Sequence, residues 1–193
     1  MTQKWVALFS QTGSEIARLA ETFGRWPDQI LTDNFDDEVW SKNIDVNKVT
    51  AMNPAALHNG LRNTKEKLFI TLHGYLKIIP SDLCEMHDIY NGHPGAINLY
   101  PELKGRDPQE MVWKTPGLYE YIGSVVHKVT AGVDEGEIVG YIYTDNDCQT
   151  KEELYNVLKD CSYEAWLDFL RDNYFYKEEA DEERNKEQLS EQN

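Results

Sequence analysis

The sequence predicts an α/β fold, a Rossmann-like and mostly parallel twisted sheet with flanking helices. Two apolar runs and one turn predict it. Trp5-Val6-Ala7-Leu8-Phe9 and Lys67-Leu68-Phe69-Ile70-Thr71-Leu72 are near-continuous apolar runs, the pattern of strands buried on both faces of a parallel sheet. The first run passes directly into a glycine-containing turn and an amphipathic helix, the opening of a doubly wound unit. At 193 residues and 40% hydrophobic, the chain can bury the core such a sheet needs within one domain.

In that first turn, Ser10-Gln11-Thr12-Gly13-Ser14-Glu15, either Thr12 or Ser14 is expected to cap the helix. Its apolar face is Ile16, Leu19, Ala20 and Phe23, and Gly24 and Pro27 end it. The helix start can receive an anion, although one glycine is too few for a dinucleotide fingerprint. Gln29-Ile30-Leu31-Thr32-Asp33 reads as the second strand. The residues from about 34 to 65 read as polar and irregular, apart from a short strand at Val49-Thr50-Ala51-Met52 and a helix that Asn53 or Pro54 starts through Leu57 and Leu61. After the run ending at Leu72 comes His73-Gly74-Tyr75-Leu76-Lys77-Ile78-Ile79-Pro80, a loop with an apolar lip, and a short helix capped by Ser81 or Asp82.

Ile89-Tyr90 then delivers Asn91, Gly92, His93 and Pro94 in succession. On an extended segment Asn91 and His93 leave the same face, Gly92 leaves room for a close approach to the backbone, and Pro94 stops the strand. An amide beside an imidazole at a strand exit suits stabilising an oxyanion or moving a proton. Arg106 to Trp113 reads as a turn and short helix, Ser124 to Val129 as a strand, and Ile138 to Tyr143 as its returning partner. The loop between them carries Asp134 among glycines. Strand C-terminal ends collect functional loops in such sheets, so Asp134 is expected to share a cleft with Asn91 and His93, with His127 orienting it. Apolar positions from Leu154 to Leu170 predict a long amphipathic helix from about 150 to 174. Residues 1–176 are thus expected to form one catalytic domain, and the acidic tail 177–193 to be solvated and disordered.

Charge narrows the partners. The formal charge is −15 and no dense Lys/Arg cluster is present, which argues against nucleic acid or an anionic membrane as the main partner. No run approaches a membrane span or signal core. Three scattered cysteines, Cys84, Cys148 and Cys161, match neither a disulfide framework nor a zinc pattern and read as reduced thiols of a cytoplasmic protein.

Taken in order, these motifs resemble the folate-dependent formyltransferases, typified by glycinamide ribonucleotide transformylase and including amino-sugar N-formyltransferases. The resemblance covers roughly 4–175. Asn91-Gly92-His93-Pro94 matches the N-x-H-P signature, Gly95 matches the small residue next to it, and Tyr100-Pro101…Gly105 matches the family's later Leu-Pro…Gly. Val125-Val126-His127-Lys128-Val129-Thr130 and Val133-Asp134-Glu135-Gly136 match the family's S-V-H-x-V-T…D-x-G segment. The first turn and the 73–79 loop match in part. The resemblance implies a formyltransferase fold and formyl transfer from 10-formyltetrahydrofolate to a small-molecule amine, with no metal. Asn91 and His93 would stabilise the tetrahedral intermediate and Asp134 would relay the proton. The pterin would lie against Leu76, Lys77, Ile78, Ile79, Thr130 and Val133. Thr12, Gly13, Ser14 and Glu15 would meet the acceptor, glycinamide ribonucleotide or another amine such as an amino sugar. Departures fall in that turn. Glu15 stands where the purine enzyme has Asn and would repel a phosphate, and Gln11 replaces a glycine. A formate-releasing hydrolase and a non-catalytic folate- or nucleotide-binding protein are the alternatives. The additional C-terminal domain of tRNA-formylating relatives and the N-terminal domain of the hydrolases are not expected, and self-association as a homodimer stays open.

Overall fold

The first apolar run folds as β1 (Trp5–Phe9), with every side chain buried, in a computed structural model that describes residues 3–177. The chain continues through α1 (Ser14–Phe23), β2 (Gln29–Thr32), α2 (Asp37–Trp40), β3 (Val49–Ala51), α3 (Pro54–Arg62) and β4 (Phe69–Leu72). Then follow α4 (Ser81–Met86), β5 (Asp88–His93), α5 (Pro108–Lys114), β6 (Tyr121–Lys128), β7 (Ile138–Asp145) and α6 (Lys151–Leu170). One seven-stranded sheet forms in the order β3-β2-β1-β4-β5-β6-β7. The pairs from β3 to β5 are parallel, and β6 and β7 are antiparallel. The expected mostly parallel α/β sheet is therefore present. No helix among the described residues is long and apolar enough to cross a membrane. The expected acidic tail, beyond Lys177, lies outside the described residues.

β1 shows how the layers form. Val6 and Leu8 pack with Leu57 and Leu61 of α3 and Leu83 of α4 on one face. Trp5 packs with Leu19 of α1 and with Trp166 and Phe169 of α6 on the other, where Ala7 and Phe9 meet Ile16 and Trp40. A strand with apolar side chains on both sides can be covered on both, which is why the run lacks alternation.

Three local expectations are corrected. Neither Thr12 nor Ser14 caps α1. Gly13 occupies the N-cap with φ 65°, and the two hydroxyls bond each other at 3.0 Å, with Thr12 Oγ1, one residue before the cap, accepting from Ser14 N at 3.4 Å. A Cβ on Gly13 would lie 2.6 Å from Ile44 Cδ1, so both backbone and packing require glycine. Pro80, rather than Ser81 or Asp82, stands at the N-cap of α4. The stretch expected to be irregular contains the single-turn α2, whose Trp40 joins Ile44 in the core cluster around Phe9. Of the apolar residues Phe35, Val39, Trp40, Ile44 and Val46 only Trp40 and Ile44 are buried, too few to show a period.

Asn53 does cap α3, its Oδ1 accepting from Ala56 N at 2.9 Å. Replacing it with Ala should cost about 1 kcal/mol, read as a lower denaturant midpoint at unchanged slope, whereas Asn53→Asp should restore most of the loss. A larger loss in the Asp variant than in the Ala variant would argue against capping.

Candidate active site

β5 carries Asn91 and His93 on the same sheet face as Ile89, which packs beneath α3 and α4. Gly92 points to the other face, against Trp166 of α6. In the antiparallel β5–β6 ladder Asn91 pairs with His127 and His93 with Val125. Directly paired side chains share a face, and Asn91 Nδ2 lies 3.1 Å from His127 Nε2. Because β6 runs antiparallel, its C-terminal end does not leave the sheet beside that of β5. The expectation that Asp134 joins the site from a shared strand edge is therefore corrected. Asp134 reaches it because the loop after Lys128 places its carboxylate against the face carrying His93 and His127. Its φ of 51° is left-handed, a conformation that Asp tolerates better than most residues.

The carboxylate is held on several sides. Its Oδ2 is 3.2 Å from His93 Nδ1 and accepts from Gly105 N at 2.9 Å, while Oδ1 is 3.2 Å from His127 Nε2. Burial by itself would raise the pKa of Asp134. The hydrogen bonds from His127 and His93, the field of His93 and the Gly105 N–H outweigh it and hold the carboxyl far below the usual carboxylate range. Gly105, with φ 87°, closes the 88–105 stretch by donating its backbone to this group.

His93 is engaged at both nitrogens. Nε2 donates to the Leu103 carbonyl at 2.8 Å, and Nδ1 faces Asp134. A direct imidazole contact to a substrate oxygen would require giving up one of these bonds. His127 likewise bonds the Lys128 carbonyl through Nδ1 at 3.1 Å. Asn91, half-buried, retains amide capacity beyond its contact with His127.

On the opposite sheet face, at the start of α1, a cavity of about 300 Å³ is lined by Thr12, Gly13, Ser14 and Glu15, and reaches Gly92 of β5 and Pro94 just beyond that strand. All four residues expected to meet an acceptor thus border one space, next to the strand that carries Asn91 and His93. Gln11, Arg18, His73, Tyr155, Lys159 and Ser162 complete its main walls. Sequence reading missed the part played by His73 and Ser162. Glu15 Oε2 is 2.7 Å from His73 Nδ1, and Ser162 donates to Oε1 at 2.6 Å. A detectable signal existed: Ser162 interrupts the apolar face of α6 between Leu158 and Trp166 at helical spacing.

The residues expected around the pterin divide into two groups. Leu76, Ile78 and Val133 are 63%, 74% and 55% exposed, and Thr130 is exposed. Ile79 is 3% exposed and packs with Leu68, Tyr75 and Leu83. Its side chain belongs to the core, so the contact expected of this residue rests on its backbone. Lys77 Nζ lies 3.5 Å from Asp33. Val129 borders the same core cluster as Tyr75 and Ile79, so the 73–80 and 129–137 loops rest on one support. In the segment 108–121, Tyr119 is core and Trp113 is 38% exposed. Among the described residues no group of three or more His, Cys, Asp or Glu is placed to hold a metal ion.

A sequence model of the family described as formyl transferase matches residues 36–170. Among solved structures, phosphoribosylglycinamide formyltransferase from Streptococcus pneumoniae is 22% identical with a TM-score of 0.72, the match covering 88% of this chain and 98% of that one. The enzyme of the same name from Campylobacter jejuni is 17% identical with a TM-score of 0.74, over 89% and 97% of the two chains. A formyltetrahydrofolate deformylase from Pseudomonas syringae is 16% identical with a TM-score of 0.72, over 89% of this chain and 61% of that one. At these identities the structural likeness speaks for the fold, and the sequence match spans most of the chain.

Proposed function

Because this chain belongs to the formyl transferase family, whose formyl donor is formyl-tetrahydrofolate, we propose that it transfers the formyl group of 10-formyltetrahydrofolate to the amine of a small molecule. Glycinamide ribonucleotide and amino sugars are the acceptor candidates. The observation that carries this reading is the Asp134 carboxylate clamped between His93 and His127 beside Asn91. The exposed apolar lips Leu76, Ile78 and Val133 fit a flat, largely apolar ring system bordered by backbone groups.

When bound, the donor supplies an electrophilic formyl carbon, which the amine attacks. Asn91 donates an amide N–H to the oxyanion that develops on the formyl oxygen. His93 acts mainly through Asp134, holding the carboxylate in place and lending it a positive field. Asp134 takes the proton that the attacking nitrogen sheds. A carboxylate held so far below its usual pKa is a weak base, so it passes the proton onward rather than keeping it. The donor nitrogen that releases the formyl carbon would take up that proton as their bond breaks, while His127 Nε2, at 3.2 Å from Oδ1, holds the carboxylate in place.

The deciding experiment mixes the protein with 10-formyltetrahydrofolate and a panel of amines and follows loss of the donor. Amine-dependent turnover is expected. Formate release at equal rate with and without amine would favour the hydrolase reading, which the structural likeness to a deformylase motivates. Folate binding without turnover would favour a binding protein, and neither binding nor turnover would sink the enzyme reading.

A further inference from the structure

The N-terminus of α1 opens on the cavity that borders Gly92 of β5 and Pro94 just beyond it. Such a helix end favours an anion. Here the protein places its own anion there. Glu15 sits in the first turn of α1, and its side chain, 22% exposed, bonds His73 through one oxygen and Ser162 through the other.

His73 is itself fixed. Its Nε2 lies 2.9 Å from Thr71 Oγ1, which also accepts from the buried Trp5 Nε1 at 2.9 Å, and its ring packs on Trp166 with centroids 4.6 Å apart. A side chain anchored at both oxygens by residues of β4's exit and α6 does not swing aside for an incoming ligand.

We propose that Glu15, clamped by His73 and Ser162, determines acceptor specificity: the cavity takes an amine bearing neutral hydroxyl groups, of the unphosphorylated sugar type, and rejects a phosphomonoester. This rests on the formyl-transfer reading and refines its acceptor. A carboxylate accepts about four hydrogen bonds, and His73 and Ser162 use one on each oxygen. The remaining acceptor positions suit a pair of O–H donors. A phosphomonoester offers this carboxylate no donor once ionised and meets it as a like charge in a partly desolvated space. The cations of the wall do not reverse the preference. Arg18 is bonded to Asp160 at 2.6 Å and lies over the Tyr163 ring at 3.6 Å, and Lys159 is exposed, where solvent and salt screen it.

The test compares glucosamine, glucosamine 6-phosphate and inorganic phosphate by calorimetric titration without any folate, and then the two amines in turnover. Wild-type protein should bind glucosamine at least tenfold more tightly than its 6-phosphate and should not bind inorganic phosphate saturably. Glu15→Gln should shift the ratio by tenfold or more toward the phosphorylated amine. Ser162→Ala keeps the charge and should weaken glucosamine binding without admitting phosphate. Saturable phosphate binding by the wild type, no binding of glucosamine, an unchanged ratio in Glu15→Gln, or phosphate binding by Ser162→Ala would each overturn the proposal. The wild-type result decides even if a variant misfolds. Because binding is read without the formyl donor, absent donor turnover would count against formyl transfer and not against this selectivity.

Discussion

Asp134→Asn should lower turnover by about 10²–10⁴-fold, the usual contribution of a positioned proton-transfer group, while the thermal unfolding profile stays cooperative. The amide keeps the size of the carboxylate and can still accept from Gly105 N. It cannot take a proton from the attacking nitrogen. The loss should appear in kcat rather than in folate affinity, because the exposed lips Leu76, Ile78 and Val133 are untouched. The same pair separates by pH. The native carboxyl is held far below its ordinary value, so its ionised form contributes to stability fully above the unfolded carboxylate range and progressively less as pH falls through and below it. The stability difference between wild type and Asp134→Asn should therefore narrow on acidification. Retained turnover would remove Asp134 from the proton path, and a difference that widened at low pH would contradict the ionised state.

Gly92→Ala should damage both stability and activity. A Cβ at this position would collide with the Trp166 indole nitrogen, and Trp166 cannot retreat. It is fully buried, with His73 at 4.6 Å and Phe169 at 5.9 Å between ring centroids. Overpacking of this kind costs about 1–3 kcal/mol, or a melting point lower by several degrees in a chain of this size. Any outward shift of β5 also moves Asn91 and His93 away from Asp134, so turnover should fall more than stability alone explains. The remedy identifies the cause. Trp166→Phe is destabilising by itself, yet Gly92→Ala added to it should cost less than Gly92→Ala in the wild type, a coupling expected only between touching residues. Additive losses would show that the indole is not the obstacle.

The sheet is largely legible because its signals are local. Each residue of Trp5–Phe9 is apolar, and the physical requirement for a strand covered on both faces is met within five residues. Asn91-Gly92-His93-Pro94 is legible for the same reason: alternation puts both polar side chains on one face whatever surrounds them, and glycine between them signals a close neighbour. The neighbour's identity is not legible, since Trp166 comes to Gly92 only through the packing of α6. Gly13 escapes a sequence reading because a Ser/Thr pair around it offers a plausible cap, while the deciding contact comes from Ile44, in a stretch with no visible period.

Local sequence is enough to set the class of fold, the position of Asn91-Gly92-His93-Pro94 on its strand and the kind of chemistry that Asn, His and Asp can perform together. How Asp134 reaches the other two is a tertiary matter. β6 is antiparallel, so the carboxylate arrives over the sheet face rather than from a common strand edge, and strand direction depends on pairing that no single segment encodes. The state of Glu15 is tertiary as well. In sequence this is one acidic residue in a helix's first turn, while in the fold two residues distant in the chain, His73 and Ser162, bond it from opposite sides. Apolar periodicity records which face of an element is buried, but it carries no record of which polar groups meet across elements. That meeting is set only when the layers close.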